Sequence, residues 1–260
     1  MKQIGIGVIG WGFMGRTHTF SIKTMPLHYN LDFEPRLIGI CSRRLEKAEQ
    51  AAREQGFKYA VDDYHKLLAD PEIDVVSICT PNNLHEQMAL DAIAAGKSVY
   101  IDKPLSINYE SARRIADAAR AAGVKAQLAL NNRFFPSTML AHELVTSGKL
   151  GRVTSFSAEY LHSGSVDPDR PIGWKQDYDA CGGGVLLDLG SHALDLVIWM
   201  CGKVDSIDCI TQTLYSERPT AGGGRTSNLG EDRALMLLQL ENGAAGTVMP
   251  QKSPPAPTTS

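Results

Sequence analysis

The chain has 260 residues, 43 % of them hydrophobic and 21 % charged, with a formal net charge of -3 at pH 7. That length and apolar content suit one large or two modest globular domains, each with its own core. The near-neutral balance leaves no electrostatic footprint for nucleic acid or an anionic membrane surface, and no apolar run in the sequence approaches a bilayer span.

Gln3 to Ile9 reads as a short buried strand. Gly10-Trp11-Gly12-Phe13-Met14-Gly15 follows at once, and a helix is expected from Phe13 to Thr24, ended by Met25-Pro26. Strand, glycine turn and helix in this order form a dinucleotide-binding fingerprint. Gly10 permits the tight turn, Gly12 admits a pyrophosphate close to the backbone, and Gly15 lets the helix pack on the strand. The pyrophosphate would sit on the helix N-terminus, where free N–H groups and the helix dipole favour negative charge. The alternative is a glycine-rich turn without a ligand. The turn also starts too early for a signal peptide. The five cysteines are scattered without a CxxC, which favours free thiols over a disulfide framework or a zinc site. A cytoplasmic location is expected.

Arg36 to Cys41 is the second strand. An NAD enzyme usually places Asp or Glu at its carboxyl end, to hold the adenosine ribose. Here Ser42-Arg43-Arg44 stands instead, and arginine can clamp a 2'-phosphate bidentately. NADP is therefore favoured over NAD. The competing reading is that Arg43 and Arg44 only open the solvated helix Leu45 to Gln55. Alternation continues with strands at Lys58 to Val61, Asp74 to Cys79, Ser98 to Ile101 and Lys125 to Leu130, and helices at Tyr64 to Ala69, Leu84 to Ala95 and Asn108 to Ala122. This predicts an α/β domain, residues 1–132, with a doubly wound parallel sheet and a crevice at the carboxyl ends of its strands.

After Asn132 the pattern changes. A helix is expected over Ser137 to Thr146, a half-exposed strand over Gly151 to His162, and a long loop from Ser163 to Gly184. A helix follows at Ser191 to Cys201. Strands follow at Val204 to Tyr215, Arg233 to Leu240 and Ala244 to Met249, the last two joined by the hairpin signal Glu241-Asn242-Gly243. Residues 133–250 thus read as an α+β domain with a mostly antiparallel open sheet. Ser216 to Leu229 reads as a mobile loop, and residues 251–260, rich in Pro, Thr and Ser, as a disordered tail.

Three clusters carry chemistry. Asp102-Lys103-Pro104 ends a parallel strand and faces the crevice, with the proline helping to aim Lys103. Asn131-Asn132-Arg133-Phe134 ends the next strand. Asp188, His192 and Asp195 stand at i, i+4 and i+7 and would share a helix face. A histidine flanked by two carboxylates suits general acid–base work on a hydroxyl or carbonyl. Competing readings are a helix-capping Asp188, a core His192, and a metal site, which lacks a second His cluster and thiolates.

Together these motifs resemble the glucose-fructose oxidoreductase / inositol dehydrogenase (Gfo/Idh/MocA) family. The glycine fingerprint spans Gly10 to Gly15. A Thr-Pro-Asn…His stretch is matched by Thr80, Pro81, Asn82 and His85, a Glu-Lys-Pro motif by Asp102-Lys103-Pro104, and D-x-G-x-H-x-x-D by Asp188, Gly190, His192 and Asp195. The resemblance implies reversible hydride transfer between NADP or NAD and a hydroxyl-bearing carbon of a sugar or polyol. It implies that Lys103 binds the reacting hydroxyl, His192 is the acid–base residue, and Asp188 binds substrate or supports His192. The cofactor would be held by Gly10, Trp11, Gly12, Phe13, Met14, Gly15, Ser42, Arg43 and Arg44. Thr80, Pro81, Asn82, His85, Asp102, Lys103, Asn131 and Arg133 would complete its site. Trp174 and Lys175 line the sugar site or, for Trp174, belong to ordinary core. No metal is expected, and self-association through the second domain's sheet is a family trait.

Two departures stand out. Asp102 replaces the family's Glu, keeping the charge with one methylene less reach. Family members usually continue further, so the passage from Ala244–Met249 into the Pro/Thr/Ser tail reads as a truncated or frame-shifted C-terminus that would leave a sheet edge unpaired. Two other functions stay open on the same fold: a glycosidase that uses tightly held NAD, and a non-catalytic dinucleotide sensor or inactive fragment.

Overall fold

The computed structural model describes residues 1–163 and 167–252. The chain divides into two compact units, the first Met1–Ala129 and the second beginning at Leu130.

In the first unit, strands β1 (Lys2–Ile9), β2 (Phe33–Cys41), β3 (Tyr59–Val61), β4 (Val75–Ile78), β5 (Ser98–Ile101) and β6 (Ala126–Leu128) form one sheet in the order β3-β2-β1-β4-β5-β6. Every pairing is parallel. The order reverses beside β1, which is the doubly wound pattern with its switch point between β1 and β4. Parallel strands are covered on both faces, and the two clusters show it. Ile6, Val8 and Ile40 pack with Ala48 and Ala51 of α2 (Leu45–Gln55) and with Phe57. Ile9, Ile38, Val76, Ile78 and Ile101 pack with Leu67, with Ala89, Ala92 and Ile93 of α4 (His85–Ala94), and with Ile115 of α5 (Tyr109–Ala122). Short α3 (His65–Leu68) supplies Leu67.

Two boundaries differ from expectation. Helix α1 (Phe13–His28) runs through Pro26, because a proline in the last turn removes one ladder hydrogen bond close to where the ladder ends anyway; Tyr29 N still donates to Met25 O at 3.0 Å. Strand β2 starts at Phe33 and includes Pro35, which pairs with Ile4. Its β3 neighbour reaches only Gly39 to Cys41, so β2 has a free side at Pro35.

The second unit holds α6 (Pro136–Thr146), β7 (Ser155–Leu161), α7 (Tyr178–Cys181), α8 (Ser191–Cys201), β8 (Val204–Gln212), β9 (Glu217–Pro219), β10 (Arg225–Ser227), β11 (Arg233–Leu240) and β12 (Ala245–Gln251). Its main sheet has the order β7-β12-β11-β8, antiparallel except for the β12–β7 pair. Strand β11 alternates exposed and buried residues, and its inner Met236 and Leu238 pack with Val248 against Ala193 and Val197 of α8. The outer face leaves Ile210, Leu235 and Leu237 exposed, and Ile210 pairs with Leu235. The segment read as a mobile loop, Ser216 to Leu229, contains the β9–β10 hairpin, with Thr226 paired to Arg218. The tail begins later than expected: Gln251 is the last residue of β12, paired with Leu161, and Lys252 is buried. The rest of that tail, 253–260, lies outside the described residues, as do 164–166 of the Ser163 to Gly184 stretch.

The helical run Tyr178–Cys201 has mean hydropathy 1.4 and is long and apolar enough, by length and composition alone, to cross a membrane. This overturns the expectation that no such run exists. It carries Asp188 and Asp195 in ion pairs, and Ala193 and Val197 of α8 pack on the sheet. All five cysteines are free thiols.

Candidate active site

The glycine fingerprint is built as its residue types require. Gly10 has φ +100°, and a Cβ there would lie 2.5 Å from Cys79 O; a Cβ on Gly15 would lie 2.0 Å from Gly10 O. Those two glycines answer to the chain's own packing. Gly12 does not: a Cβ there would meet nothing within 4 Å. Gly12 is the N-cap of α1, with no side-chain cap and no acidic residue in the first turn. The open N–H groups and the open space at Gly12 fit an anionic group laid on the helix end. Trp11 packs edge-on against Phe57 at 6.3 Å, with Arg16 over its ring, while Phe13 is exposed.

At the end of β2, Ser42 N donates to Val61 O at 3.1 Å, and Arg43 and Arg44 are both exposed. Arg44 is the N-cap of α2. Asp62 and Asp63 also lie by this end: with burial the larger cause, they push the Cys41 thiol up to about 11. The sequence reading did not weigh these two carboxylates.

Strand β4 ends on a buried polar cluster that the sequence did not reveal. His18 Nδ1 of α1 lies 2.8 Å from Ser77 Oγ and 3.2 Å from Cys79 Sγ, and the His18 ring lies against Tyr100. Burial holds His18 below the usual histidine range, opposed by Asp102, and pushes the Cys79 thiol up to about 12. Cys79 is thus a packed, inert thiol.

Thr80 and Pro81 turn the chain above this cluster, with Asn82 buried. His85, expected to touch cofactor, is fully buried, and both ring nitrogens face main-chain carbonyls: Nδ1 lies 2.9 Å from Pro104 O and Nε2 3.0 Å from Thr80 O. A ring so enclosed bridges the two turns from within. Asp102 Oδ1 accepts from Lys103 N at 2.8 Å, so its carboxylate caps its own turn, and the Lys103–Pro104 peptide is cis.

In the second unit, Asp188 lies in a π-helical turn, Leu186–Gly190, that precedes α8. That turn runs directly into α8, so Asp188 and His192 lie on consecutive helical turns. Asp188 pairs with Lys252 at 2.8 Å and with Lys175 at 3.3 Å. Asp195 accepts from Arg133 Nε at 2.7 Å and also from Nη2, and Arg133 stands over the Trp199 ring at 5.4 Å. His192 is buried, with its ring 6.0 Å from that of Tyr160. Two expectations change. Asp195 serves Arg133, and Arg133, expected at the cofactor, has one edge of its fork committed to that carboxylate. Asn131 is exposed on the same 3-10 turn, Asn131–Phe134. Trp174 is 47 % exposed beneath Lys175 Nζ at 5.9 Å, so it is not core. Lys252 escaped the sequence reading altogether, since nothing local ties a residue at the end of β12 to Asp188. A small hollow lined by Lys175, Gln176, Asn228, Glu231, Asp232 and Lys252 lies by the same two lysines.

A parallel sheet of this order, with an open glycine turn at a helix N-terminus, defines the first unit as a dinucleotide-binding domain of the Rossmann class. Residues 4–130 match the model of the oxidoreductase family with an NAD-binding Rossmann fold, and residues 138–252 match the GFO/IDH/MocA C-terminal domain. Levoglucosan dehydrogenase of Pseudarthrobacter phenanthrenivorans is 32 % identical over 95 % of this chain and 67 % of its own length. Myo-inositol 2-dehydrogenase of Thermotoga maritima is 27 % identical over 94 % of this chain and 67 % of its own. A solved levoglucosan dehydrogenase in complex with NADH and levoglucosan superposes with a TM-score of 0.94, at 31 % identity, over 97 % of this chain and 68 % of that one. The chain belongs to the Gfo/Idh/MocA family of NAD-binding oxidoreductases, and it spans about two thirds of the length of these relatives.

Proposed function

We propose that the protein oxidises a secondary hydroxyl of a sugar or polyol, or reduces the matching carbonyl, with a nicotinamide dinucleotide. The observation that carries this is the open Gly12 turn at the N-terminus of α1 in a chain that retains Lys103, Asp188 and His192. The cofactor would be held by Gly10 to Gly15 and the turns after β2 and β4, and when bound it supplies the hydride acceptor for oxidation or, reduced, the donor for the reverse step. Lys103 presents a cation to the reacting oxygen and lowers the cost of its negative charge. His192 takes or returns the hydroxyl proton. Asp188, held by Lys175 and Lys252, offers a carboxylate of fixed direction to substrate hydroxyls.

Cofactor choice turns on the end of β2. Arg43 and Arg44 support NADP(H), the reading the sequence favours. Asp62 and Asp63 at the same end, and the NADH named in the solved relatives, support NAD(H). We adopt NAD(H), because a carboxylate at this end opposes a 2'-phosphate and suits ribose hydroxyls. The five free thiols suit the reducing cytoplasm expected from the sequence.

Initial rates of nicotinamide reduction with levoglucosan and with myo-inositol, each with NAD and NADP, test the proposal. NAD-dependent turnover is expected, together with its loss in Lys103→Ala while NADH binding survives. Unchanged turnover in Lys103→Ala would remove Lys103 from the mechanism. A preference for NADP would return the choice to the two arginines.

A further inference from the structure

His85 opens α4 and has no exposed surface, yet its ring reaches two strand-end turns at once. Nδ1 lies 2.9 Å from the carbonyl oxygen of Pro104, the residue directly after Lys103. Nε2 lies 3.0 Å from the carbonyl oxygen of Thr80, just beyond β4. Carbonyls only accept, and a neutral imidazole carries a single N–H, so a neutral ring can satisfy one of the two. Burial holds His85 below the usual histidine range, against the opposing pull of the main chain at Pro104, Thr80 and Leu105 and of Asp102, and this favours the neutral ring. The two contacts are not equivalent. The one to Pro104 is buried, and the one to Thr80 is partly buried. A buried carbonyl without a donor costs more than one that water can reach. The proton therefore belongs on Nδ1.

We propose that His85 is a positioning residue for Lys103: its Nδ1–H donates to the Pro104 carbonyl and fixes the turn that carries the lysine. This rests on the reading of Lys103 as the residue that meets the reacting oxygen. It assigns the Thr-Pro-Asn…His stretch and the Asp-Lys-Pro stretch to one device, joined through one ring.

Two measurements test it. Long-range proton–nitrogen correlation spectra of the histidine-labelled protein report which nitrogen of His85 is protonated. A proton on Nδ1 supports the proposal, and an Nε2–H ring with bare Nδ1 overturns it, whatever the substrate proves to be. The second measurement compares His85→Asn with His85→Gln. The Asn amide nitrogen stands as many bonds from Cβ as Nδ1, and the Gln amide nitrogen as many as Nε2. His85→Asn keeps a donor toward Pro104, whereas His85→Gln places one toward Thr80 and leaves the buried carbonyl bare, so His85→Gln is expected to melt somewhat lower while both still bind NADH. With levoglucosan and NAD, His85→Asn should stay close to wild type in kcat. His85→Gln should lose on the order of tenfold to a hundredfold in kcat, at little change in NADH affinity, since misplacing a catalytic group by about 1 Å costs that much. Equal loss in both variants, or a greater loss in His85→Asn, would overturn the proposal. Lys103→Ala in the same assay separates the two ideas: if it turns over normally, the reading of Lys103 fails, while the tautomer result still stands or falls alone.

Discussion

Arg133 and Asp195 form a pair that the sequence alone does not reveal. Arg133 stands where the sequence places a cofactor contact, yet its guanidinium pairs with Asp195 and lies over Trp199. Planar, two-point recognition of this kind needs the arginine fork. The Asp195 side chain is only 10 % exposed and that of Arg133 is 33 % exposed, so the pair lies between the surface and buried limits. Arg133→Leu should therefore cost about 1–3 kcal/mol, and Arg133→Lys should recover little of it. Chemical denaturation followed by tryptophan fluorescence measures this, and a variant as stable as wild type would show the pair to be incidental. Asp195 was legible as a motif residue but not its partner, because a contact 62 positions away leaves no trace in local spacing.

At the level of elements, periodicity found every strand of the first sheet, since runs such as Val75–Ile78 are buried on both faces and β-branched. It missed β9 and β10, three residues each, because the hairpin is held by Arg218, Asp232 and main-chain partners rather than by an apolar stripe. It also missed the π turn over Leu186–Gly190, for which composition offers no signal. Helix α3 has only four residues and owes its place to Leu67, which is fully buried against the sheet. Leu67→Ala should destabilise the protein by about 2–5 kcal/mol, the cost of lost burial plus the cavity left behind. Thermal unfolding by circular dichroism checks this; a change well under 1 kcal/mol would mean that α3 collapses into the gap or adds little to the core.

For the molecule as a whole, buried histidines set a pH dependence. His18 and His85 both titrate below the usual value of 6.5 in the folded chain, chiefly because burial disfavours the charged ring. Below pH 6.5 the unfolded chain binds protons that the folded chain refuses, so stability falls with pH until the folded values are reached. The melting temperature should drop between pH 7.5 and pH 5.5, and His18→Gln should flatten the drop. A flat profile in wild type would mean that burial leaves the titration of these rings unshifted. The family assignment was legible because four short motifs occur in order from Gly10 to Asp195. The supports of those motifs, Lys252 under Asp188 and His85 under Lys103, emerge only in three dimensions. The most direct test of the dinucleotide reading is the melting temperature in increasing NADH, for wild type and for Gly12→Val. A ligand that binds only the folded state at one hundred times its Kd adds about 2.7 kcal/mol. A saturable rise in wild type, absent from an equally well folded Gly12→Val, is the expected result. A cooperative wild-type transition that neither NADH nor NADPH raises would contradict it.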